Sequence, residues 1–299
     1  MPPSATYGPV QVFLGAQNGK FPDGNQVIVR GSDTCLAFDT PLVARQLLEQ
    51  LRQVDGIVLG HVHEDHTVAL GDLLHVPVQV HAADLPSVQS WQGLEQHYGY
   101  GADVIEQLRP LFSQTFGFTP RPDATAYHDG QLWELGGGVR VRAHHLPGHT
   151  SGHCALVEES SGVAFIGDID LSSFGPYYGD ASSDMLQFAR SLQRVRDIEA
   201  RVWVTSHHKG VVTDRAQFLE ALERFGAQIE VRHQRLLDTL AQGPRSMAQL
   251  VAGGLLYPPD LGMPQIPCIE QCAISQHLDF LQGQGLVACA EETGLWYKC

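Results

Sequence analysis

The chain has 299 residues, with 19 basic and 33 acidic side chains and a formal net charge of −14 when histidine is neutral. Such an acidic surface repels nucleic-acid phosphates and anionic membranes, which argues against a protein that binds either of them. The hydrophobic fraction of 43% is enough for one large domain, alone or with a small partner domain.

The first residues and the cysteines indicate the compartment. Residues 1–4 lack the basic start and the apolar core of a signal peptide, and no apolar run approaches the length of a transmembrane helix. The six cysteines form no CxxC pair and lie mostly inside apolar segments, as buried free thiols do in a reducing compartment. We therefore expect a cytoplasmic protein that does not enter a membrane.

The first part of the chain alternates apolar and polar residues, as strands do. This pattern predicts early strands over residues 10–14, 27–30 and 35–38. A helix is predicted from Pro41 through Leu51, since proline is favoured in a first helical turn and the leucines form one apolar stripe. Strands followed by helix and strand–helix units indicate two sheets sandwiched between helices.

The most informative segment is Gly60-His61-Val62-His63-Glu64-Asp65-His66-Thr67, which directly follows the apolar run 56–59. The run predicts a buried strand, and residues 67–74 predict the start of a helix. Such a turn lies at the carboxyl end of a sheet, where α/β proteins place their sites.

The spacing within this segment is that of metal ligands. His61 and His63, two residues apart, can converge on one ion. Asp65 and His66 point elsewhere and suit a second ion beside the first. The alternatives are a His-rich loop without a ligand and a single structural zinc site, because short motifs also occur by chance.

Later segments deliver further polar residues to strand ends. Hairpin strands between residues 129 and 141 lead to His149, and a strand over residues 201–205 ends at His207. The loop 174–180 is aromatic and rich in turn residues. It either contacts a substrate or simply packs its aromatic rings.

The character of the chain changes near residue 227. Helices are predicted over residues 229–240, 246–251 and 269–282, followed by a hairpin between residues 286 and 297. This order is typical of a winged helix. We therefore predict two units, residues 1–226 and residues 227–299, the second being a small winged-helix-like α+β domain.

The His-x-His-x-Asp-His pattern of residues 61–66 resembles the signature of the metallo-β-lactamase superfamily. Segments that resemble other elements of this family follow in the same order at residues 35–40, 146–153, 165–168 and 204–208. The resemblance implies an α/β fold, an αββα sandwich, over the first unit. Within the family, the sequence resembles the branch of hydroxyacylglutathione hydrolase-like and lactamase-like protein 2-like proteins. Some hydrolases of this fold also carry a winged helix, which would correspond to the second unit.

The resemblance also implies a metal site with two Zn²⁺ ions per chain, with iron or manganese as alternatives. Carried over to this sequence, the ligands are His61, His63 and His149 for the first ion, Asp65, His66 and His207 for the second, and Asp168 as the bridge. Asp65 and Asp168 are then the expected catalytic residues, because a metal-bridged hydroxide attacks the substrate and Asp65 orients it.

Two residues near these ligands are interpreted as supporting residues. Asp39 is expected to orient a ligand. His153 is expected to be packed and hydrogen-bonded. Neighbours on a strand point to opposite faces, so only one of His207 and His208 reaches the metals; we favour His207, and His208 remains the alternative.

The implied function is hydrolysis of a small thioester, lactone or related ester. Alternatives with the same fold are a phosphodiesterase or ribonuclease and an iron-dependent sulfur dioxygenase. Iron oxidoreductases of the superfamily typically carry Glu where His63 stands, which favours zinc. A metal-responsive DNA-binding protein is an alternative from another class.

The C-terminal unit tests the nucleic-acid alternatives. Residues 227–299 hold four basic and seven acidic side chains, and the predicted helix 269–282 has no Lys or Arg. Contacts to phosphates and bases favour basic residues. We therefore expect a small-molecule substrate and no nucleic acid, and a C-terminal unit that packs on the catalytic domain, closes the pocket or forms a homodimer.

Overall fold

The computed structural model describes residues 1–299, which form two large sheets, a separate hairpin and nine helices. The strands are β1 (Ala5–Tyr7), β2 (Val10–Phe13), β3 (Gln26–Arg30), β4 (Cys35–Phe38), β5 (Gly56–Val58), β6 (Val78–His81), β7 (Thr125–Tyr127), β8 (Leu132–Gly136), β9 (Val139–His145), β10 (Cys154–Glu158), β11 (Val163–Phe165), β12 (Val202–Val204), β13 (Val211–Val212), β14 (Val287–Ala290) and β15 (Leu295–Lys298).

Along the chain, the helices connect strands within each large sheet or follow the last strand of the second sheet. They are α1 (Ala16–Gly19), α2 (Leu48–Leu51), α3 (Leu85–Gln89), α4 (Trp91–Tyr98), α5 (Ala102–Pro110), α6 (Met185–Arg196), α7 (Arg215–Ala241), α8 (Met247–Gly253) and α9 (Ile266–Gly283). No helix combines the length and the apolar content needed to cross a bilayer.

The first sheet has the order β1-β2-β3-β4-β5-β6-β7, and the second has the order β13-β12-β11-β10-β9-β8. The first sheet is antiparallel up to β4 and parallel from β4 to β7. In the second sheet only β11 and β12 are parallel. The carboxyl ends of β5, β11 and β12 therefore open toward the same rim of the molecule, where polar loops can meet.

Three apolar layers hold the sheets and helices together. The inner layer joins the two sheets and includes Val29 and Phe38 from the first and Leu156 and Val204 from the second. A second layer covers the outer face of the first sheet with the segments around α2 to α5. A third covers the second sheet with α6, α7 and α9. The predicted αββα sandwich is confirmed.

Two predicted helices form differently. Residues 41–51 contain a 3₁₀ segment, Leu42–Gln46, followed by the single turn α2. Residues 67–74 contain only the 3₁₀ turn Leu70–Asp72. In the second segment, Ala69 donates its N–H to the carbonyl of Thr40, and Thr40 donates its own N–H to the carbonyl of His66. These bonds across the fold replace the i to i−4 bonds of an α-helix.

The C-terminal segment contains the predicted order of helices and hairpin. Helix α7 runs without a break from Arg215 to Ala241, so the predicted division between residues 226 and 227 falls inside a continuous helix. A separate apolar cluster joins the end of α7 to α8, α9 and β14. The division into two units and the winged-helix interpretation remain predictions.

Candidate metal centre

Polar loops from both sheets meet at one rim. The loop after β5 carries the 61–66 segment, and the loops after β9, β11 and β12 carry the remaining residues expected at the site. These residues are His149, Asp168 and His207. The first sheet thus supplies one half of the site and the second sheet supplies the other.

The first group of potential ligands consists of His61, His63, His149 and Asp168, whose ligand atoms all lie within 4.8 Å of one another. Nδ1 of His63 is 3.1 Å from Nε2 of His149. That same nitrogen of His149 is 3.3 Å from Oδ2 of Asp168. Three imidazoles and one carboxylate therefore converge on a single point.

The second group consists of Asp65, His66 and His207. Nε2 of His207 is 3.1 Å from Oδ2 of Asp65. Nε2 of His66 is 3.8 Å from Oδ1 of the same carboxylate. Two imidazoles and one carboxylate converge here.

Asp168 faces both groups. Its Oδ1 is 3.2 Å from Nε2 of His66 and 3.6 Å from Nε2 of His207. Its Oδ2 is turned toward His149 in the first group. One carboxylate therefore presents an oxygen to each side.

The buried atoms that face this space lack hydrogen-bond partners. They are Nδ1 and Nε2 of His61, Nε2 of His66, Nε2 of His207 and Oδ1 of Asp168. Leaving a buried polar atom without a partner costs about 1–3 kcal/mol, so such a concentration needs an explanation. Imidazole nitrogens and carboxylate oxygens are ligands that zinc and similar ions accept. The residues present fit metal ions.

The nitrogen that points away from the site is fixed in four of the five histidines of the two groups. Its acceptors are Oδ2 of Asp180 for His63 (3.0 Å), Oδ2 of Asp39 for His66 (2.8 Å), the carbonyl of Tyr177 for His149 (3.1 Å) and the carbonyl of Gly19 for His207 (2.9 Å). Metal-binding histidines usually donate their second N–H to such an acceptor, which fixes the ring and its tautomer. Asp39 therefore stands where an orienting residue was expected.

The charges of the site depend on one another. Burial opposes the charge on His63, but the hydrogen bond and the charge of Asp180 raise its pKa to about 9. Burial also opposes the charge on His207, whose pKa rises to about 10 because of Asp168 and Asp65. Burial disfavours the ionised form of Asp168 too, yet His207 and His66 hold its pKa well below the usual range. Metal ligands must lose their protons, so an ion would displace protons from these rings.

His153 lies beside the two groups with both nitrogens in use. Its Nδ1–H donates to the carbonyl of Leu146 at 3.2 Å, and its Nε2 accepts the main-chain N–H of Asp168 at 3.1 Å. Burial lowers its pKa to about 3, which keeps the ring neutral in this arrangement. His153 is thus packed and hydrogen-bonded, and it holds the main chain of Asp168.

The structure separates His207 from His208. His207 belongs to the second group, whereas Nε2 of His208 lies 3.6 Å from Oδ2 of Asp170 and its ring is about one-third exposed. His208 has a φ of 61°, a left-handed conformation that turns the chain between the two rings.

Sequence reasoning missed Asp84 and Asp180. Oδ2 of Asp84 accepts the N–H of Val62 at 3.1 Å and the hydroxyl of Thr150 at 2.7 Å, so it joins two loops of the site. An acidic residue shortly after a parallel strand was a usable signal for Asp84. Asp180 contacts His63 across 117 residues of sequence, and no local pattern reveals such a pair.

The interval from residue 84 to residue 116 lies against the site. The ring of Tyr98, at the end of α4, stacks on His63 with centroids 5.6 Å apart and an angle of 12°. Its hydroxyl donates to the carboxylate of Glu64. This part of the interval is therefore a wall of the site.

Comparison with known proteins agrees with the fold and the site. A family model of the metallo-beta-lactamase superfamily matches residues 23–207, which include every residue of the two groups. The chain belongs to the metallo-β-lactamase superfamily.

Several curated proteins are similar to this chain. A hydroxyacylglutathione hydrolase from Methylococcus capsulatus is 27% identical over 265 residues, which cover 85% of this chain and 92% of that protein. An atrochrysone carboxyl ACP thioesterase from Pseudocercospora fijiensis is 28% identical over 214 residues, or 70% of this chain and 61% of the thioesterase. A lactamase-like protein from Aspergillus niger is matched over 47% of its length. The chain thus spans about three fifths of the length of the thioesterase and about half of the length of the lactamase-like protein.

Two solved structures share the fold over nearly the whole chain. A metallo-beta-lactamase family protein from Thermus thermophilus has a TM-score of 0.72 and 23% identity, covering 97% of this chain and 99% of its own. A beta-lactamase domain protein from Burkholderia ambifaria has a TM-score of 0.71 and 16% identity, covering 99% and 94%. The C-terminal helices and hairpin are thus included in the shared fold.

Proposed function

We propose that this protein is a binuclear, zinc-dependent hydrolase that acts on a small thioester, lactone or related ester. The observation that carries the proposal is the position of Asp168 between two groups of ligands, with one oxygen toward each. A single catalytic zinc needs only three protein ligands, and this site offers seven.

The proposed ligands are His61, His63 and His149 for one ion, Asp65, His66 and His207 for the other, and Asp168 for both. The buried ring nitrogens of His61, His66 and His207 support this assignment, because they form no hydrogen bond within the protein and their neighbours are other ligands of the site. Divalent ions at such a site supply Lewis acidity and lower the pKa of water, which makes a nucleophile available near neutral pH. Zinc is favoured because imidazoles dominate the ligand set.

Two carboxylates take the catalytic roles in this proposal. Asp65 accepts a hydrogen bond from the attacking water and so directs its lone pair toward the substrate carbonyl. Asp168 links the two halves of the site through its Oδ1, which faces His66 of the first sheet's loop, and His153 holds the main-chain N–H of Asp168 in place. Asp65 and Asp168 are both ionised near neutral pH, because neighbouring histidines offset the effect of burial and lower their pKa values.

The names of similar proteins support an acyl substrate. One relative is named a thioesterase and another a hydroxyacylglutathione hydrolase. The substrate is proposed to be a small molecule, and nucleic acid is not among the proposed partners. A cytoplasmic location is proposed on the six unpaired cysteines, which suit a reducing compartment.

The test combines metal analysis with an activity panel. Purified protein is expected to hold about two transition-metal ions per chain, mainly zinc. The zinc-loaded protein is then offered thioesters, lactones, β-lactams and phosphodiesters, with Asp168→Asn as the inactive control. Turnover of a thioester or lactone supports the proposal. One tightly held iron with consumption of dioxygen would contradict it and favour a sulfur dioxygenase.

A further inference from the structure

The loop 174–180 reaches two of the three histidines proposed for the first ion. The carbonyl of Tyr177 accepts the Nδ1–H of His149 at 3.1 Å. Three residues later, Oδ2 of Asp180 accepts the Nε2–H of His63 at 3.0 Å. Each contact leaves the opposite ring nitrogen facing the site, and those two nitrogens are 3.1 Å apart.

Asp180 is built into this position by further donors. Its Oδ1 accepts the hydroxyl of Tyr100 at 2.6 Å and the hydroxyl of Tyr177 at 2.9 Å. The residue is fully buried. A buried carboxylate is costly unless it is paired and hydrogen-bonded, and here both oxygens have fixed donors. The three donors come from three separate segments, so the carboxylate has a single allowed orientation.

The C-terminal helices hold the loop that carries Asp180. The buried guanidinium of Arg232, on α7, donates to the carbonyls of Phe174 and Pro176 at 2.6 and 2.5 Å. On α9, the amide of Gln276 donates to the carbonyl of Tyr178 at 3.0 Å. The loop is therefore tied at both of its ends to helices that lie far from the metal groups in sequence.

We propose that Asp180 is a positioning residue that fixes the ring and tautomer of His63 for the first metal ion, and that the C-terminal helices maintain it there. The inference rests on the proposed metal site. It gives the C-terminal segment a task within that site, namely to determine how firmly the first ion is held. Loss of an orienting partner of this kind typically lowers metal affinity about 10- to 100-fold.

The test measures zinc affinity by competition with a chelator in wild type, Asp180→Ala and Asp180→Asn. We expect the affinity of one site to fall about 100-fold in the alanine variant and about 10-fold in the asparagine variant, because the amide retains one acceptor oxygen. The other site should keep its affinity. Asp184→Asn is the matched control, since this carboxylate caps α6 and contacts none of the proposed ligands.

A second readout reports on the ring itself. In zinc-loaded protein labelled with ¹⁵N-histidine, the Nε2–H of His63 should give a downfield proton signal that is absent in Asp180→Ala. If the alanine variant does not fold, the asparagine variant decides. Wild-type affinity at both sites in a folded variant would overturn the proposal. Zinc binding needs no substrate, so a wild type that binds two ions but hydrolyses nothing contradicts only the proposed function.

Discussion

The carboxylate of Asp84 accepts a hydrogen bond from the hydroxyl of Thr150 at 2.7 Å, and this bond joins the two sheets beside the metal groups. The same carboxylate accepts the main-chain N–H groups of Val62 and Gly152. Val62 lies between His61 and His63, and Thr150 follows His149. One buried side chain therefore links ligand-bearing loops from different sheets.

Asp84→Asn should weaken both the fold and the site. In the wild type, the two carboxylate oxygens accept the N–H groups of Val62 and Gly152. The asparagine amide replaces one oxygen by an NH₂ group, so one of these N–H groups loses its acceptor, which costs about 1–3 kcal/mol. We expect a lower free energy of unfolding in urea and reduced metal content. The control is Asp72→Asn, because Asp72 is exposed and its change should stay within about 0.5 kcal/mol. Equal effects of the two substitutions would show that the Asp84 bonds contribute little.

His207→Ala and His208→Ala form a matched pair at adjacent positions. His207→Ala should lose about one metal ion per chain and nearly all activity, because a ligand of the second group is removed. His208→Ala should keep both ions, since its ring faces Asp170. Elemental analysis and the activity assay distinguish the two. Metal loss in His208→Ala alone would reverse the assignment.

The 61–66 motif, the strand ends and the αββα layers were accessible from sequence because each depends on a local pattern. The helix expected after residue 67 did not form, since Ala69 donates its N–H to Thr40, outside the pattern, and the next residues bond as a 3₁₀ turn. Asp180 was missed for the same reason: its donors, His63 and Tyr100, are remote in sequence. Contacts between distant segments are set by the assembled fold.

Arg232→Met tests whether the C-terminal helices support the 174–180 loop. The substitution keeps an apolar stem but leaves the carbonyls of Phe174 and Pro176 without donors, so we expect about 2–4 kcal/mol of destabilisation. Activity should fall as well, because this loop carries Asp180. Denaturant unfolding and kcat are the measurements.

The control for that substitution lies on the same helix. Arg224→Met removes an exposed pair with Glu220 and should change stability by less than about 1 kcal/mol. If Arg232→Met and Arg224→Met behave alike, the buried guanidinium does not hold the loop.

Acid should destabilise the protein partly through His277. Burial and the neighbouring charges of His233 and Arg232 lower the pKa of this imidazole to about 2, and its Nε2 lies 2.8 Å from the Tyr178 hydroxyl. Between the unfolded value near 6.5 and this folded value, the unfolded chain binds more protons. The contribution of neutral His277 to the free energy of unfolding is therefore complete above about pH 6.5. It is lost as the pH falls, by up to about 1.4 kcal/mol per pH unit.

The measurement is the free energy of unfolding from pH 7 to pH 5 in wild type and in His277→Gln. Glutamine can still accept from Tyr178 but does not titrate, so the slope with pH should be smaller in the variant. Any effect of the metal ligands is common to both proteins. Identical slopes would show that His277 is not responsible.

We predict no salt-dependent binding of duplex DNA. The helix that would enter a groove, α9, carries no Lys or Arg and has one face buried, with Ile269, Ala273 and His277 turned inward. Fluorescence anisotropy with labelled duplex at low salt should show no binding. Binding that weakens steeply with added salt would reveal a basic surface formed in another way.

Because the ligands are divided between the two sheets, metal binding would affect the stability of the whole fold. A loop of the first sheet carries His61, His63, Asp65 and His66. Loops of the second sheet carry His149, Asp168 and His207. Each ion would therefore act as a removable cross-link across the apolar interface between the sheets, bound only by the folded state. At a free metal concentration about 1,000 times its dissociation constant, one such ion adds about 4 kcal/mol to stability. A chelator would then lower the free energy of unfolding by that amount per ion, with every side chain unchanged and only the apolar layer left to join the two sheets.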